Sequence, residues 1–174
     1  MGVAGSGKST QGKLLADEYG YAWISTGEVL RLLVTGRRRQ EMLQGNLLSD
    51  EEVTAIMDKV LELVDTSQDC VLDGFPRTVN QAEWLFTESE KGRFKLNGVF
   101  NLVTTEEVVL QRLVSRGRPD DTAEAIDARF KAYQKEAQPI LENFKRHNVP
   151  VHDIDASKSA QIVHEQVMTL IEKL

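Results

Sequence analysis

The stretch Gly2-Val3-Ala4-Gly5-Ser6-Gly7-Lys8-Ser9-Thr10 decides how the rest of the chain is read. Gly2, Gly7, Lys8 and Ser9 fill the spacing G-x-x-x-x-G-K-[ST] without a gap. The glycines let a tight loop turn its backbone N–H groups inward, and a helix starting at the lysine adds the positive end of its dipole. Together they cradle a polyphosphate. Lys8 would reach β- and γ-phosphate oxygens, and the Ser9 hydroxyl would take one position on Mg²⁺. The bland alternative is a glycine-rich turn that only caps a helix. Phosphate binding is the expectation, and the reaction stays open.

Outward from the loop, short apolar runs alternate with amphipathic ones. Lys8 to Tyr19 reads as a helix closed by Gly20, and Tyr21 to Ile24 as a strand. Ser25-Thr26-Gly27 turns into a helix ended by Gly36, and Arg37 to Leu43 forms another, closed by Gly45. Ser49-x-x-Glu52 is a capping box ahead of an apolar face made by Val53, Ile56, Met57, Val60, Leu61 and Val64. Cys70 to Leu72, Val99 to Val103 and Val151 to Ile154 read as further strands. Thr104-x-x-Glu107, Asp121 with Glu124, and Ser157 mark three more helix starts, and Gly117-Arg118-Pro119 is a break. The pattern predicts an α/β fold with a parallel sheet covered by helices on both faces. In such sheets ligands bind beyond the carboxyl ends of the strands. That places Gly2–Thr10, Ser25–Arg31, Asp73–Arg77 and Asp155–Lys158 together.

The whole-chain balance narrows the function. The 174 residues suit one domain, 41% hydrophobic and 28% charged, an ordinary globular composition. A net charge of −6 argues against nucleic-acid binding, and no apolar run is long enough to span a membrane. The single cysteine, Cys70, excludes an intrachain disulfide and a cysteine-rich zinc site, and reads as a buried small hydrophobe. A cytoplasmic location is the expectation. His147, His152 and His164 show no partner pattern, Trp23 and Trp84 read as packing residues, and Arg37-Arg38-Arg39 reads as a solvated face.

Asp73 follows an apolar strand, where an acid beside a phosphate loop would hold Mg²⁺ directly or through water. Arg77 follows a proline that stiffens the turn, which suits a bidentate phosphate contact. Arg112 and Arg116 share a helix face, Arg118 follows across Gly117, and Arg129 lies beyond the break. Three arginines in seven positions around a Gly-Pro break read as a positive lid, able to neutralise a migrating phosphoryl group and exclude water. No general base accompanies them. A hydroxyl or water acceptor would need one, whereas a phosphate acceptor already carries an anionic oxygen.

These segments closely resemble the adenylate kinases among nucleoside monophosphate kinases. The resemblance rests on Gly2–Gln11, Ile24–Arg31, Gly45–Asp50, Leu72–Thr78, Gln81–Glu83, Arg112–Asp121, Arg129 and Asp155–Lys158, in family order along almost the whole chain. It implies transfer of the γ-phosphoryl group of MgATP to AMP, giving two ADP, on a three-layer P-loop kinase fold. Gly5, Ser6, Gly7, Lys8, Ser9 and Thr10 would hold ATP phosphates, Arg112 and Arg116 would contact ATP, and Ala156 to Lys158 would border its adenine. Thr26, Gly27, Arg31, Asn46, Leu47, Leu48, Gly74, Phe75, Pro76, Arg77 and Gln81 would form the AMP site, with Arg118 and Arg129 bridging both phosphate chains. Lys8, Arg77, Arg112, Arg116, Arg118 and Arg129 are the implied catalytic set, with Ser9 and Asp73 on Mg²⁺. Thr26 and Gln81 match the adenine-accepting version rather than the UMP or CMP kinases. An AMP-side insertion spans about residues 25–54, shorter between Arg31 and Gly45 than in relatives, and a short, zinc-free lid spans about 113–122. The protein is expected to be a monomer whose partners are ATP and AMP. The alternatives are another P-loop small-molecule kinase, of the UMP/CMP or gluconate type, and a catalytically impaired nucleotide-binding paralogue.

The family's fold has five parallel strands, the central one entering the phosphate loop. Here only Met1 precedes Gly2, and no later run is free to replace that strand. The expectation is a natural start several residues upstream and, in the chain as written, a slot of about 10 Å between Cys70–Leu72 and Val99–Val103. Groups unpaired along it would cost about 1–3 kcal/mol each, so that protein made from Met1 would be poorly stable and weakly active.

Overall fold

A computed structural model describes residues 1–43, 48–118 and 121–174. Helix α1 (Lys8–Tyr19) leads to strand β1 (Ala22–Ser25), then to α2 (Thr26–Leu33), α3 (Gly36–Leu43) and α4 (Asp50–Glu62). Strand β2 (Cys70–Asp73), α5 (Val79–Glu90), β3 (Val99–Val103) and α6 (Glu106–Arg116) follow. Helix α7 (Ala123–Arg146), β4 (Val151–Asp155) and α8 (Ala160–Ile171) complete the order.

All the strand pairings are parallel, as short apolar runs separated by helices require. β1 lies beside β2 in the register Ala22↔Cys70 to Ser25↔Asp73, and β3 beside β4 from Val99↔Val151 to Val103↔Asp155. Among the described residues no ladder joins β2 to β3, so the strands form two pairs rather than one continuous sheet. Met1 and Gly2 run alongside β3. Leu102 N–H donates to Met1 O at 3.0 Å, Gly2 bridges Leu102, and the Met1 amine donates to Phe100 O.

Alternate strand residues enter two apolar clusters, which shows that both faces are covered. Cys70, Leu72, Val99 and Val151 pack with α4, α5 and α7 around Met57, Leu85, Ile140 and Phe144. Val71, Phe100, Leu102 and Ile154 pack with Leu15 of α1 and Val163 and Val167 of α8. A third cluster seats Val3 of the phosphate loop on Val109 and Leu113 of α6 and Ile126 of α7. No described helix is long and apolar enough to cross a membrane.

The capping box at Ser49 and Glu52 forms with both reciprocal bonds. Three other helix starts are corrected by a residue or two. The cap of α6 is Thr105, that of α7 is Thr122, and that of α8 is Ser159, each hydroxyl accepting the N–H three residues on. Two of the replaced residues are otherwise engaged: Asp121 holds arginines, and Ser157 bonds Asp155 Oδ1 through both its N–H and its hydroxyl. Gly36 opens α3 instead of closing α2, which ends at Leu33. Gly45 lies outside the described residues. Trp84 packs edge-on against Phe75, and His164 sits between Gln11 Oε1 at 3.0 Å and Glu18 Oε2 at 2.8 Å.

Met57 is the most deeply buried large side chain of α4 and also receives the Thr26 hydroxyl at 3.5 Å. Truncating it leaves a cavity directly behind β1 and α2. Met57→Ala should lower unfolding free energy by about 2–5 kcal/mol in chemical denaturation. A loss well under that range would mean the packing behind β1 collapses to fill the space.

Candidate active site

The loop from Gly2 to Gly7 emerges beside β3 and runs into α1. Gly2 has φ 138°, and a Cβ there would lie 2.6 Å from Ser6 Oγ and 2.8 Å from Leu102 O. Only glycine fits that close approach. Gly7, at φ 103°, turns the chain into the first turn of α1, whose free N–H groups then face the open side.

Lys8 folds back over its own loop and donates to Gly2 O at 2.7 Å and Val3 O at 2.8 Å. Burial lowers its pKa from 10.5 to about 8; Asp73 pulls the other way, while Arg77 and Arg116 add repulsion. Ser9 Oγ donates to Asp73 Oδ2 at 2.6 Å, bringing the loop hydroxyl against the acid at the end of β2. Two hard oxygen donors so placed fit a magnesium ion.

The turn after β2 continues the wall. Gly74 has φ 78°, and a Cβ there would meet Arg77 Nη2 at 2.9 Å, so glycine makes room for the guanidinium. Arg77 Nε donates to Gly74 O at 2.7 Å. Its side chain opens onto the cavity, yet the protein around it desolvates it and, with Arg129 nearby, holds its pKa below the usual arginine value.

The remaining arginines reach in from the helices. Arg112 of α6 donates to Ala156 O at 2.8 Å and Lys158 O at 3.0 Å, clasping the turn after β4. Arg116 donates through Nε to Asp121 Oδ2 at 2.8 Å, and Arg129 of α7 lies 3.6 Å from the same carboxyl. Arg118 and Arg31 share one oxygen of Glu28, at 3.0 and 2.9 Å. The bond from Arg31 does most to hold the Glu28 carboxyl below its ordinary pKa.

One open cavity of about 780 Å³ gathers these groups. Gly5 to Thr10, Gly27, Arg31, Asp73 to Arg77, Arg112, Arg116, Arg118, Arg129, Ala156 and Lys158 all line it. Three expected site residues lie behind the wall instead. Thr26 and Gln81 are 1% and 3% exposed, and Leu48 packs against the core. Asn46 and Leu47 lie outside the described residues. Sequence reading assigned no role to Tyr133 and Glu136, which share the wall with Arg129. Their spacing, four and seven residues after Arg129, is a helical stripe that carried the signal. Glu28 precedes Arg31 by three residues, a spacing that pairs charges on one helix face.

The family model described as adenylate kinase matches residues 1–149. The chain is 34% identical to the adenylate kinase of Corynebacterium urealyticum, covering 99% of this chain and 97% of that one. It is 31% identical to the adenylate kinase of Porphyromonas gingivalis, covering 99% and 94%. It is 28% identical to that of Archaeoglobus fulgidus, covering 100% and 97%.

The Lys8 ammonium has a consequence for stability. Its folded value, about 8, lies below the ordinary 10.5, so between those values the unfolded chain binds more protons. The contribution of Lys8 to stability should therefore rise with pH from about 8 to 10.5, by at most about 3 kcal/mol. Lys8→Met should remove that slope in denaturation curves recorded across the window. Parallel pH profiles for the two proteins would contradict it.

Proposed function

The chain belongs to the adenylate kinase family, and from that premise we propose how its residues divide the transfer of a phosphoryl group from ATP to AMP. The observation that carries the proposal is the single cavity in which a phosphate loop, the Ser9–Asp73 pair and six arginines meet: Arg31, Arg77, Arg112, Arg116, Arg118 and Arg129. The family match does not favour a UMP/CMP-type kinase, a gluconate-type kinase or a silent nucleotide-binding paralogue.

Gly5 to Thr10 hold the ATP phosphates, whose oxygens replace the Gly2 and Val3 carbonyls as partners of Lys8. That exchange strengthens as charge builds on the migrating group, which is where a preorganised cation acts. Ser9 and Asp73 would meet the Mg²⁺ that accompanies ATP, directly or through water, and the ion would offset phosphate charge. Arg112 and Arg116 contact ATP, and Ala156 and Lys158 border its adenine. Arg118 and Arg129 reach both phosphate chains. Gly27, Arg31, Gly74, Phe75, Pro76 and Arg77 form the AMP wall, with Thr26, Leu48 and Gln81 beneath it, and Asn46 and Leu47 are assigned to AMP from the sequence alone. The AMP phosphate attacks with an oxygen that already carries charge, so no side chain is asked to take a proton.

Residues 25–54 act as the AMP-side insertion and 113–122 as the lid, with Arg118 of the lid meeting Glu28 of the insertion. The protein works as a monomer in the cytoplasm, without zinc. The test is coupled detection of ADP with AMP, CMP, UMP, GMP and gluconate offered in turn. AMP should be the preferred acceptor, and Lys8→Met should lower kcat by about 10²–10³-fold or more. Turnover of Lys8→Met near the parent's would sink the role given to Lys8, and preference for any other acceptor would sink the reaction.

A further inference from the structure

Gln81 is held by the chain at both ends of its amide. Its Oε1 accepts the Arg77 N–H at 2.8 Å, and its Nε2 donates to Asp50 Oδ1 at 2.8 Å. The same Asp50 oxygen accepts the Thr78 hydroxyl at 2.7 Å, and Thr78 caps α5, the helix that carries Gln81. Asp50 is the first residue of α4, a helix that packs on α5. A backbone N–H can only donate and a carboxylate can only accept, so this arrangement admits one orientation of the amide. A flipped Gln81 would set its NH₂ against the Arg77 N–H and its oxygen against the Asp50 carboxylate.

An amide has two N–H donors and two acceptor lone pairs. The chain uses one of each here, which leaves one donor and one acceptor in a fixed order. Adenine offers an amino donor beside a ring-nitrogen acceptor, whereas guanine puts a carbonyl acceptor where that amino group stands. A free amide satisfies either base by rotating; one locked at both ends satisfies only one.

We infer that Asp50 is a positioning residue for acceptor selection: by fixing the Gln81 amide it makes the site read adenine and refuse guanine. The inference rests on the reading in which Gln81, 3% exposed beneath the cavity wall, contacts the AMP base. Asp50 itself touches no substrate, so its removal acts on binding and choice of acceptor and leaves the transfer step alone.

The experiment measures kcat and KM for AMP and GMP in the parent, Asp50→Ala, Asp50→Asn and Gln81→Ala, with thermal melting of each. Asp50→Ala should raise the AMP KM about tenfold and lower the AMP-over-GMP preference about tenfold, with kcat near the parent's. Asp50→Asn keeps an acceptor oxygen in place and should stay within about threefold of the parent on both measures. A purely structural role would lower melting without moving the acceptor ratio. If Asp50→Ala does not fold, Asp50→Ser is read in its place, since serine suits a first helical turn yet stops short of Gln81. Gln81→Ala with the parent's AMP KM and preference would remove the premise, a failure of the Gln81 assignment. Loss of preference in Gln81→Ala but not in Asp50→Ala would overturn the inference itself. So would an Asp50→Asn that melts as the parent and falls as far as Asp50→Ala.

Discussion

The structure depends on keeping concentrated positive charge in one place without the anions it is made for. Six arginines and Lys8 line the same cavity, and like charges at that density repel strongly where water is scarce. The protein answers with its own acceptors. Glu28 takes Arg31 and Arg118, and Asp121, its side chain 1% exposed, takes Arg116 and Arg129. Arg112, Arg77 and Lys8 rest on backbone carbonyls of the turns that surround them. The ligand-free site is thus internally paired. A nucleotide does not enter an empty positive bowl; it competes with two carboxylates, Glu28 and Asp121, and a set of carbonyls for partners already aimed inward.

That constraint explains why so much of the site could be read before its geometry was known. Gly2, Gly7, Lys8 and Ser9 act within one local turn, and local backbone chemistry is what short spacing encodes. Asp73 and Arg77 follow a strand end and Arg112 follows a helix face, so alternation of strands and helices was enough to bring them together. What stayed hidden depends on contacts distant in sequence. Nothing within Ser49–Glu52 indicates that Asp50 reaches Gln81, thirty-one residues away, because that bond exists only after α4 packs on α5. Glu28 and Arg118 meet across ninety residues. The helix starts at Thr105, Thr122 and Ser159 were misplaced for a related reason. Each has a competing cap nearby, and only tertiary placement decides which side chain is free to bond the N–H three residues on.

The two strand pairs carry a similar lesson about the sheet. Their hydrophobic runs were plain in the sequence, yet apolar character alone does not say which strands share hydrogen bonds. β1 pairs with β2 and β3 with β4, while Met1 and Gly2 contribute the bonds alongside β3. The phosphate loop is therefore held at its start by Leu102 and beneath by Val109 and Leu113. Its position follows from β3 and α6 together, which is why the loop and Arg112 and Arg116 of α6 share one frame.

Cys70 opens β2, and Asp73, at the other end of that four-residue strand, bonds Ser9 of the loop. The thiol is half-buried, and burial raises its pKa, so it is a poor nucleophile while the strand stays paired with β1. With no second cysteine in the chain, a thiol-selective reagent reports on this one position. The rate at which the thiol is trapped therefore follows how tightly β2, the strand that ends in Asp73, is held beside β1.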